Sequence, residues 1–410
     1  MRTALLVACL LSRFLGPFNR LVNASNFIDN DAADEIEDDD SSSFDFMSSN
    51  LEVLQPDPDL VEVQCDGLEC PVDRRDRMDD VPSVWTRGLV TPKLKPELIL
   101  KEHARASSRS QKLFRGETLG YVTPWNSRGY ALAKRFRSKF TYISPVWLQV
   151  REDRNHVPTI TGLHEIDRQW VQHVKHGVEG EVKLAMDPAV VPRVVYERNQ
   201  LKSEDVPLIT NLMLDLMNEH DFDGIVFEIP VMQGTLDMLQ QLARAFRAAD
   251  KLFILVLPRS SNDGEMPVTH ELFAELAPLV HRFSMNAYDF GTPGPNAPYP
   301  WLAKTLEKMS PMERQRILMG LPFYGYDNAD AITGSAYIQA LTDNDVTIRW
   351  DLESHECQHV YTAAEPSRQH VLFFPCLQFL QDRLTLYKAN GVGVAIWELG
   401  QGLDFFYDLL

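Results

Sequence analysis

The stretch DFDGIVFEIP, residues 221–230, decides the fold. Its first four residues are typical of a turn, and residues 224–227 form a short apolar run. A run of this length without alternation indicates a strand that is buried on both faces, as the strands of parallel sheets are. Glu228 lies within the strand and Pro230 closes it. A buried carboxylate is costly unless a partner pairs with it, so the role of Glu228 needs an explanation.

Seven further strand-like runs alternate with stretches of helical periodicity. The runs are residues 120–125, 142–150, 190–197, 252–258, 282–290, 316–325 and 391–400. Helical periodicity marks residues 207–220, 235–250 and 377–389. Eight strands alternating with helices predict an α/β fold, a closed (β/α)8 TIM barrel over residues 113–410. An open doubly wound sheet is the alternative, but no G-x-G-x-x-G turn follows the first strand.

The alternation is interrupted at about residues 327–376. This interval contains several short strand-like runs in place of a single helix, and it predicts a small α+β insertion before the last helix. If Tyr361 pairs near Val371, Cys357 lies near Cys376 across the hairpin. These two cysteines are therefore a candidate disulfide.

The amino-terminal part of the chain has a different composition. Residues 1–24 are predicted to be a signal peptide, with Arg2 before a short apolar run and a small residue, Ala24, at the cleavage site. Residues 25–112 are predicted to be an acidic, largely disordered region, because residues 25–80 hold 19 acidic and 3 basic residues. A partner-binding acidic arm is the alternative.

Composition excludes several classes of function. The formal net charge is −18, whereas nucleic-acid binding requires a basic surface. No segment of about twenty apolar residues is present that could span a membrane. Without the signal peptide four cysteines remain, Cys65, Cys70, Cys357 and Cys376, and this even number suits disulfides in an oxidising compartment.

The letters HECQH, residues 355–359, match the zinc motif H-E-x-x-H. That motif requires a helix, which places both histidines on one face, whereas this segment lies among strand-like runs. The cysteine spacing matches no zinc signature either. We therefore predict no metal and no cofactor.

Aromatic and acidic residues are concentrated at the carboxyl ends of the predicted strands, where the active sites of such barrels lie. Aromatic rings bind the apolar faces of sugars, and carboxylates accept hydrogen bonds from their hydroxyls, so we predict a carbohydrate site. For any single aromatic residue, core packing is the alternative. The candidate sugar-binding residues are Tyr121, Trp125, Trp147, Tyr196, Glu228, Tyr288, Asp289, Tyr324, Trp397 and Glu398.

Three long stretches carry a resemblance to glycoside hydrolase family 18, the chitinase family. They are YVTPWNSRGY at residues 121–130, FTYISPVWLQV at 140–150 and AIWELGQGLDFFYDLL at 395–410. The likeness runs from about residue 116 to the end of the chain. It implies a barrel with a small insertion before the last helix, and ligands that are oligosaccharides of amino sugars.

The resemblance also implies a catalytic motif, D-G-x-D-x-D-x-E, on strand four. Its last glutamate protonates the glycosidic oxygen, and the aspartate before it orients the substrate's acetamido group, which acts as the nucleophile. Here Asp223 and Gly224 match the motif, Val226 and Glu228 replace its second and third aspartates, and Pro230 replaces the catalytic acid. Proline has no proton to donate. Glu228 lies two residues deeper, about 6–7 Å along the strand, whereas general acid catalysis requires a reach of about 3 Å.

Other parts of the family pattern are present or altered. Residues 285–289, M-N-A-Y-D, resemble the strand-six M-x-Y-D with one additional residue, and the tyrosine of that motif corresponds to Tyr288. Trp397 matches the tryptophan that floors the central sugar subsite. The strand-three S-x-G-G signature is absent, and Pro192-Arg193-Val194 lies there instead. The resemblance therefore implies a sugar cleft without its acid.

The leading hypothesis is a secreted or lysosomal lectin that binds chitin oligomers, with lipopolysaccharide as a further candidate ligand, without hydrolysis and in innate immunity. One alternative is an active glycosidase with a relocated acid, Glu228, Asp289 or Glu398. Another is a protein that binds a scavenger or sorting receptor and has a vestigial cleft. Glu228 itself has a structural alternative, which is pairing with an arginine or hydroxyl inside the barrel.

Overall fold

The computed structural model of the chain describes residues 81–107, 111–178, 184, 186–197, 203–363 and 368–410. The predicted signal peptide, the acidic segment 25–80 and the cysteines Cys65 and Cys70 lie outside the described residues. None of the helices in the described ranges is both long enough and apolar enough to cross a bilayer.

The described elements follow one another in the order that the sequence predicts. The strands are β1 Thr118–Val122, β2 Tyr142–Pro145, β3 Leu148–Glu152, β4 Pro158–Thr161, β5 Ala189–Val190, β6 Arg193–Tyr196, β7 Gly224–Glu228, β8 Leu252–Leu257, β9 Arg282–Met285, β10 Ile317–Pro322, β11 Gly325–Asp327, β12 Asp330–Ile332, β13 Thr347–Asp351, β14 Glu356–Ala363, β15 Arg368–Phe373 and β16 Gly393–Trp397. The helices are α1 Pro96–Glu102, α2 Ser127–Arg135, α3 Arg168–His176, α4 Val206–His220, α5 Leu236–Ala248, α6 His270–Leu276, α7 Tyr299–Lys308, α8 Pro311–Arg314, α9 Gly334–Asp343 and α10 Leu377–Ala389.

Within the described residues, eleven strands form one curled sheet in the order β4-β3-β6-β7-β8-β9-β10-β16-β1-β2-β5. Predicted strand two consists of β2 and β3, and predicted strand three consists of β5 and β6. The pairs β2–β5 and β3–β6 are both parallel, so strands two and three pair along both of their halves. The sheet thereby closes on itself. This confirms the predicted (β/α)8 barrel, to which β4 adds an antiparallel edge beside β3.

The break in strand three lies at Pro192. A proline has no N–H to donate to a neighbouring strand, and β5 ends before it while β6 begins after it. Its carbonyl still accepts a hydrogen bond from the N–H of Val226 at 2.9 Å. Strand three therefore continues across the break and places Arg193 at the start of β6.

Strand β7 is buried as the sequence predicts, and α4 and α5 flank it. Residues 224–227 are buried, and Glu228 at the end is partly exposed. A Cβ on Gly224 would lie 2.1 Å from the carbonyl oxygen of Leu252, so only glycine fits at this position. Helix α4 turns an apolar face inward, with Ile209, Met213 and Met217 buried.

A second sheet lies between β10 and α10. Its five strands are antiparallel, in the order β12-β11-β15-β14-β13. Val360 pairs with Val371 and Tyr361 with His370, next to Val371 as the sequence predicts. Cys357 and Cys376 form the predicted disulfide, with their Cα atoms 6.2 Å apart.

The structure differs from the sequence prediction at residues 81–107, which were predicted to belong to the largely disordered region. They contain α1 and belong to the same compact unit as the barrel. Asp408 accepts hydrogen bonds from the backbone N–H groups of Val84 at 3.1 Å and Ser107 at 2.7 Å. Arg87 pairs with both Asp408 and Glu102. These bonds join the segment to the carboxyl-terminal residues and give it the partners that a disordered segment lacks.

Candidate functional site

The barrel interior near the carboxyl ends of the strands holds an ion pair between adjacent strands. Arg193 begins β6 and Glu228 ends β7. Arg193 Nε donates to Glu228 Oε2 at 2.9 Å, and Nη2 donates to the same oxygen. The side chains are 6% and 23% exposed. Glu228 therefore has the partner that its burial requires, and that partner comes from the altered strand-three segment.

Two aromatic rings lie beneath the guanidinium group. Tyr121 on β1 and Trp397 on β16 are neighbours, with ring centres 5.3 Å apart. The Arg193 guanidinium carbon lies 4.9 Å from the centre of the Trp397 ring and 5.4 Å from that of Tyr121. Tyr121 is 2% exposed and Trp397 8% exposed. Because β6 reaches β1 and β16 only through the interior, Arg193 points into the barrel.

The surroundings of Arg193 favour its charged form. Burial alone would lower the pKa of Arg193, but the charge and hydrogen bond of Glu228, together with the nearby phenols of Tyr121 and Tyr288, outweigh burial and the pKa is raised. Burial raises the pKa of Tyr121 to about 12, and its hydroxyl shares a hydrogen bond with Ser284 at 2.8 Å. The interior thus holds one cation, one carboxylate and neutral phenols.

Tyr288 lies in the same interior space. Its hydroxyl donates to Asn286 Oδ1 at 2.9 Å, and burial raises its pKa well above the ordinary value. Gly320 makes room for it, because a Cβ there would lie 2.8 Å from the Tyr288 ring and 2.5 Å from the backbone nitrogen of Ala287. Tyr288 is 8% exposed and forms part of the wall.

Asp289 is bound by two tyrosines from the loop and strand that follow β10. Tyr324 and Tyr326 both donate to its Oδ1, the second at 2.6 Å. The side-chain oxygen of Asn296 accepts the Asp289 N–H at 2.8 Å, with the aspartate in the left-handed backbone region at φ 61°. Burial raises the pKa of Asp289. This carboxylate joins the barrel to the second sheet.

Glu398 is fully buried beneath the mouth. Its carboxylate accepts hydrogen bonds from Asn126 Nδ2 at 2.5 Å, from Thr123 at 3.4 Å and from the Gly400 N–H. Burial outweighs these bonds and raises its pKa to about 8. Glu398 is 0% exposed and holds the turn that carries Trp125 to the start of α2.

Two predicted sugar-binding aromatics lie in the core. Trp147 is 1% exposed and contacts Trp170 of α3, which places it on the outer face of the barrel. Tyr196 packs against Phe227, which in turn contacts Phe253 in the layer beneath α5. Side chains alternate along a strand, so Tyr196, three positions after the inward-facing Arg193 on β6, faces the helices rather than the interior. Tyr324 is also buried, with its hydroxyl on Asp289.

Two of the remaining candidates are exposed beyond the carboxyl ends of their strands. Trp125 follows β1 and is 47% exposed. Pro230 follows β7 and is exposed at the position of the motif's acid. Asp223 lies at the opposite end of β7, where it accepts the Val190 N–H at 2.8 Å and binds Lys175. At the start of the degenerate motif Asp223 therefore has a structural role, and at its end Pro230 is exposed.

Arg193 is the residue that the predicted site omitted. The signal was present in the sequence, because one arginine within the apolar run VVPRVVY is as unusual as the glutamate in residues 224–230. The sequence does not indicate that Arg193 and Glu228 are partners.

The HECQH segment forms part of a turn and strand β14. His359 is fully buried, its ring nitrogen shares a hydrogen bond with Tyr337 at 2.9 Å, and burial lowers its pKa to about 4. His355 contacts Asp382 of α10 instead, and Glu356 accepts the N–H groups of Asn296 and Ala297. Across the described part of the chain, no group of three or more histidine, cysteine or acidic side chains is placed to hold a metal.

Comparison with solved structures agrees with this architecture. A chitinase from Chromobacterium violaceum superposes with a TM-score of 0.60 at 18% identity, over 72% of this chain and 98% of that one. A class V chitinase from Pseudomonas fluorescens gives 0.59 at 16% identity, over 72% and 98% of the two chains. The spore cortex-lytic enzyme SleL of Bacillus megaterium gives 0.56 at 18% identity, over 71% and 72%.

Among curated sequences, a protein named as the sporulation-specific glycosylase YdhD of Bacillus subtilis is 19% identical over 216 residues, 47% of this chain. The match spans about half the length of that relative, 51%. No protein-family model matches the chain. At these identities the likeness establishes the fold and not the reaction. The chain therefore has the same barrel fold as these chitinases.

Proposed function

We propose that this protein is a chitinase-like lectin that binds oligosaccharides of amino sugars without hydrolysing them. One observation carries the proposal: the position of the motif's acid is occupied by Pro230, which is exposed at the carboxyl end of β7 and has no proton to transfer. A general acid must reach the leaving oxygen at hydrogen-bond distance. The cleft thus keeps its fold and lacks the group that would break the bond.

The other carboxylates near the mouth support the same conclusion. Glu228 is bound to Arg193, Asp289 to two tyrosines, and Glu398 is fully buried. None is positioned as a free acid beside a ligand. Saccharide binding is supported by the exposed ring of Trp125 and by the partly exposed carboxylate of Glu228, which can accept hydrogen bonds from hydroxyl groups.

The finer assignment rests on the sequence. Long stretches resemble chitinase domain-containing protein 1, a chitinase-like lectin. As part of the proposal, we infer that this chain has the same properties. They include secretion or lysosomal location, a role in innate immunity, lipopolysaccharide as a further ligand, and a scavenger or sorting receptor as partner. The predicted signal peptide and the Cys357–Cys376 disulfide support an oxidising compartment.

Calorimetric titration with the hexamer of N-acetylglucosamine tests the proposal. We expect saturable binding that weakens at least about tenfold in Trp125→Ala, the loss of roughly 1.4 kcal/mol of contact. Trp85→Ala is the matched control. Trp85 is similarly exposed at 41% but hydrogen-bonds Gln381 of α10, and its removal leaves the affinity unchanged. No binding by the wild type would overturn the proposal, and equal affinity in both variants would exclude Trp125 from the binding site.

Turnover of a chromogenic N-acetylglucosamine oligomer separates the lectin from a glycosidase with a relocated acid. The wild type is expected to release no product above the uncatalysed rate. Product release that is lost in Glu228→Gln would establish the glycosidase instead.

A further inference from the structure

The aromatic faces inside the barrel are already covered by the protein. The Arg193 guanidinium group lies over both Trp397 and Tyr121, at 4.9 and 5.4 Å from the ring centres. A guanidinium group is attracted to the face of an aromatic ring, and the apolar face of a pyranose ring would use that same face. One ring face cannot hold both groups. The 8% exposure of Trp397 reflects this coverage.

Arg193 is held firmly in that position. Two of its nitrogens donate to Glu228 Oε2, and its side chain is 6% exposed. Withdrawing the guanidinium group would separate a buried ion pair, which is strongly unfavourable. A ligand that enters the cleft therefore meets the arginine and not the rings.

We propose that Arg193 is the protein's own occupant of the innermost saccharide subsite, and that oligosaccharides bind only to the outer part of the cleft. This inference rests on the proposed lectin function for its ligand class. It makes Arg193 the residue that sets how deeply a saccharide can bind. We expect a bound saccharide to reach inward as far as Glu228. Both hydrogen bonds from Arg193 go to Glu228 Oε2, and Glu228 Oε1 accepts no hydrogen bond from the described part of the chain.

Two double variants test the space that Arg193 fills. Both lack the charge of Arg193, and only one of them keeps a long side chain at this position. Arg193→Ser with Glu228→Gln removes the ion pair, leaves no buried unpaired charge and opens the space over Trp397. Arg193→Met with Glu228→Gln also removes the pair but keeps a long side chain in the space. Both lack the Glu228 carboxylate, so they differ only in the filling of the subsite.

Each variant is titrated with the trimer of N-acetylglucosamine, and its folding is verified by thermal unfolding. We expect the opened variant to bind the trimer about tenfold more tightly than the filled variant. Adding Trp397→Ala to the opened variant removes that gain, because the newly exposed ring supplies it. As a control, Arg282→Ser with Glu117→Gln removes an ion pair near the amino ends of β1 and β9 and leaves the affinity unchanged.

The outcomes distinguish this inference from the lectin proposal. If the wild type and the filled variant bind no oligomer while the opened variant does, the lectin function fails and the inference holds. If the wild type binds and both folded double variants bind within twofold of each other, the lectin function holds and the inference is overturned. Absence of binding by every folded variant overturns both.

Discussion

Arg193 and Glu228 lie 35 positions apart in the chain and form an ion pair within the barrel, with Arg193 Nε 2.9 Å from Glu228 Oε2. Arg193 begins β6 and Glu228 ends the adjacent parallel strand β7, where Arg193 is level with Val226 and Glu228 with Val195. The pair accounts for the carboxylate in residues 221–230 as a buried charge with a partner. The guanidinium group of the same pair lies over the rings of Tyr121 and Trp397.

Removing one member of this pair is expected to destabilise the protein. In Glu228→Gln the guanidinium group remains buried without a counter-charge, so the free energy of unfolding falls by about 3 kcal/mol. The value lies at the lower end for a buried pair because Glu228 is 23% exposed. Urea unfolding measures it. Arg193→Met with Glu228→Gln should recover most of the loss, and a double variant as unstable as the single one would contradict this explanation.

Glu398 is expected to make stability depend on pH. Its pKa is about 8 in the folded protein and 4.5 is its ordinary value, so between these limits the unfolded state loses a proton that the folded state keeps. The Glu398 contribution is therefore fully present below about pH 4.5 and is lost as the pH rises to 8, by up to about 1.4 kcal/mol per pH unit.

Glu398→Gln should flatten that dependence, because glutamine does not titrate. The comparison is the free energy of unfolding of the two proteins in urea at several pH values from 4.5 to 8. Parallel curves for the wild type and the variant would exclude Glu398 as the source.

The Cys357–Cys376 disulfide should stabilise the second sheet against the unfolded chain. It closes a loop with a sequence separation of 19, for which the chain-entropy relation gives about 3 kcal/mol. Cys357→Ser with Cys376→Ser should lower the urea midpoint accordingly. Mass spectrometry after alkylation verifies that the wild type has no free thiol at these positions. An unchanged urea midpoint would show that the disulfide does not stabilise the folded state relative to the unfolded chain.

Gly320→Ala is expected to disturb the packing around Tyr288. The new methyl group would lie 2.5 Å from the Ala287 nitrogen and 2.8 Å from both the Met285 carbonyl oxygen and the Tyr288 ring. Overpacking of this kind costs about 1–3 kcal/mol, measured by urea unfolding. Gly234→Ala is the control, since nothing lies within 4 Å of a Cβ at that position. Equal effects of the two substitutions would refute the steric explanation.

Most of the barrel was predictable because its signals are local. A strand buried on both faces requires an apolar run, and a helix on the outside requires a repeat of three to four residues. Helix α10 begins and ends at the predicted residues, and each of the eight strand-like runs contains a strand. Tyr361 pairs with His370, the neighbour of Val371, which agrees with the pairing expected from the sequence.

The candidate site was less predictable, because the surroundings of a side chain depend on where each strand ends and on what packs against it. Trp125 and Trp147 both lie in predicted strand-like runs but in no strand, and one is 47% exposed at the mouth whereas the other is 1% exposed against α3. Composition alone cannot separate these two environments. The pairing of each strand with its neighbours decides which residues face the interior.

The sequence by itself determined that this chain builds a barrel and that a proline stands where the motif of strand four has its acid. Both follow from residue types and their spacing, which require no knowledge of contacts. Only the tertiary structure decided that Glu228 faces Arg193, and that Arg193 covers Tyr121 and Trp397. Those contacts join strands three, four, one and eight across the closed barrel, and closure is a property of the whole sheet.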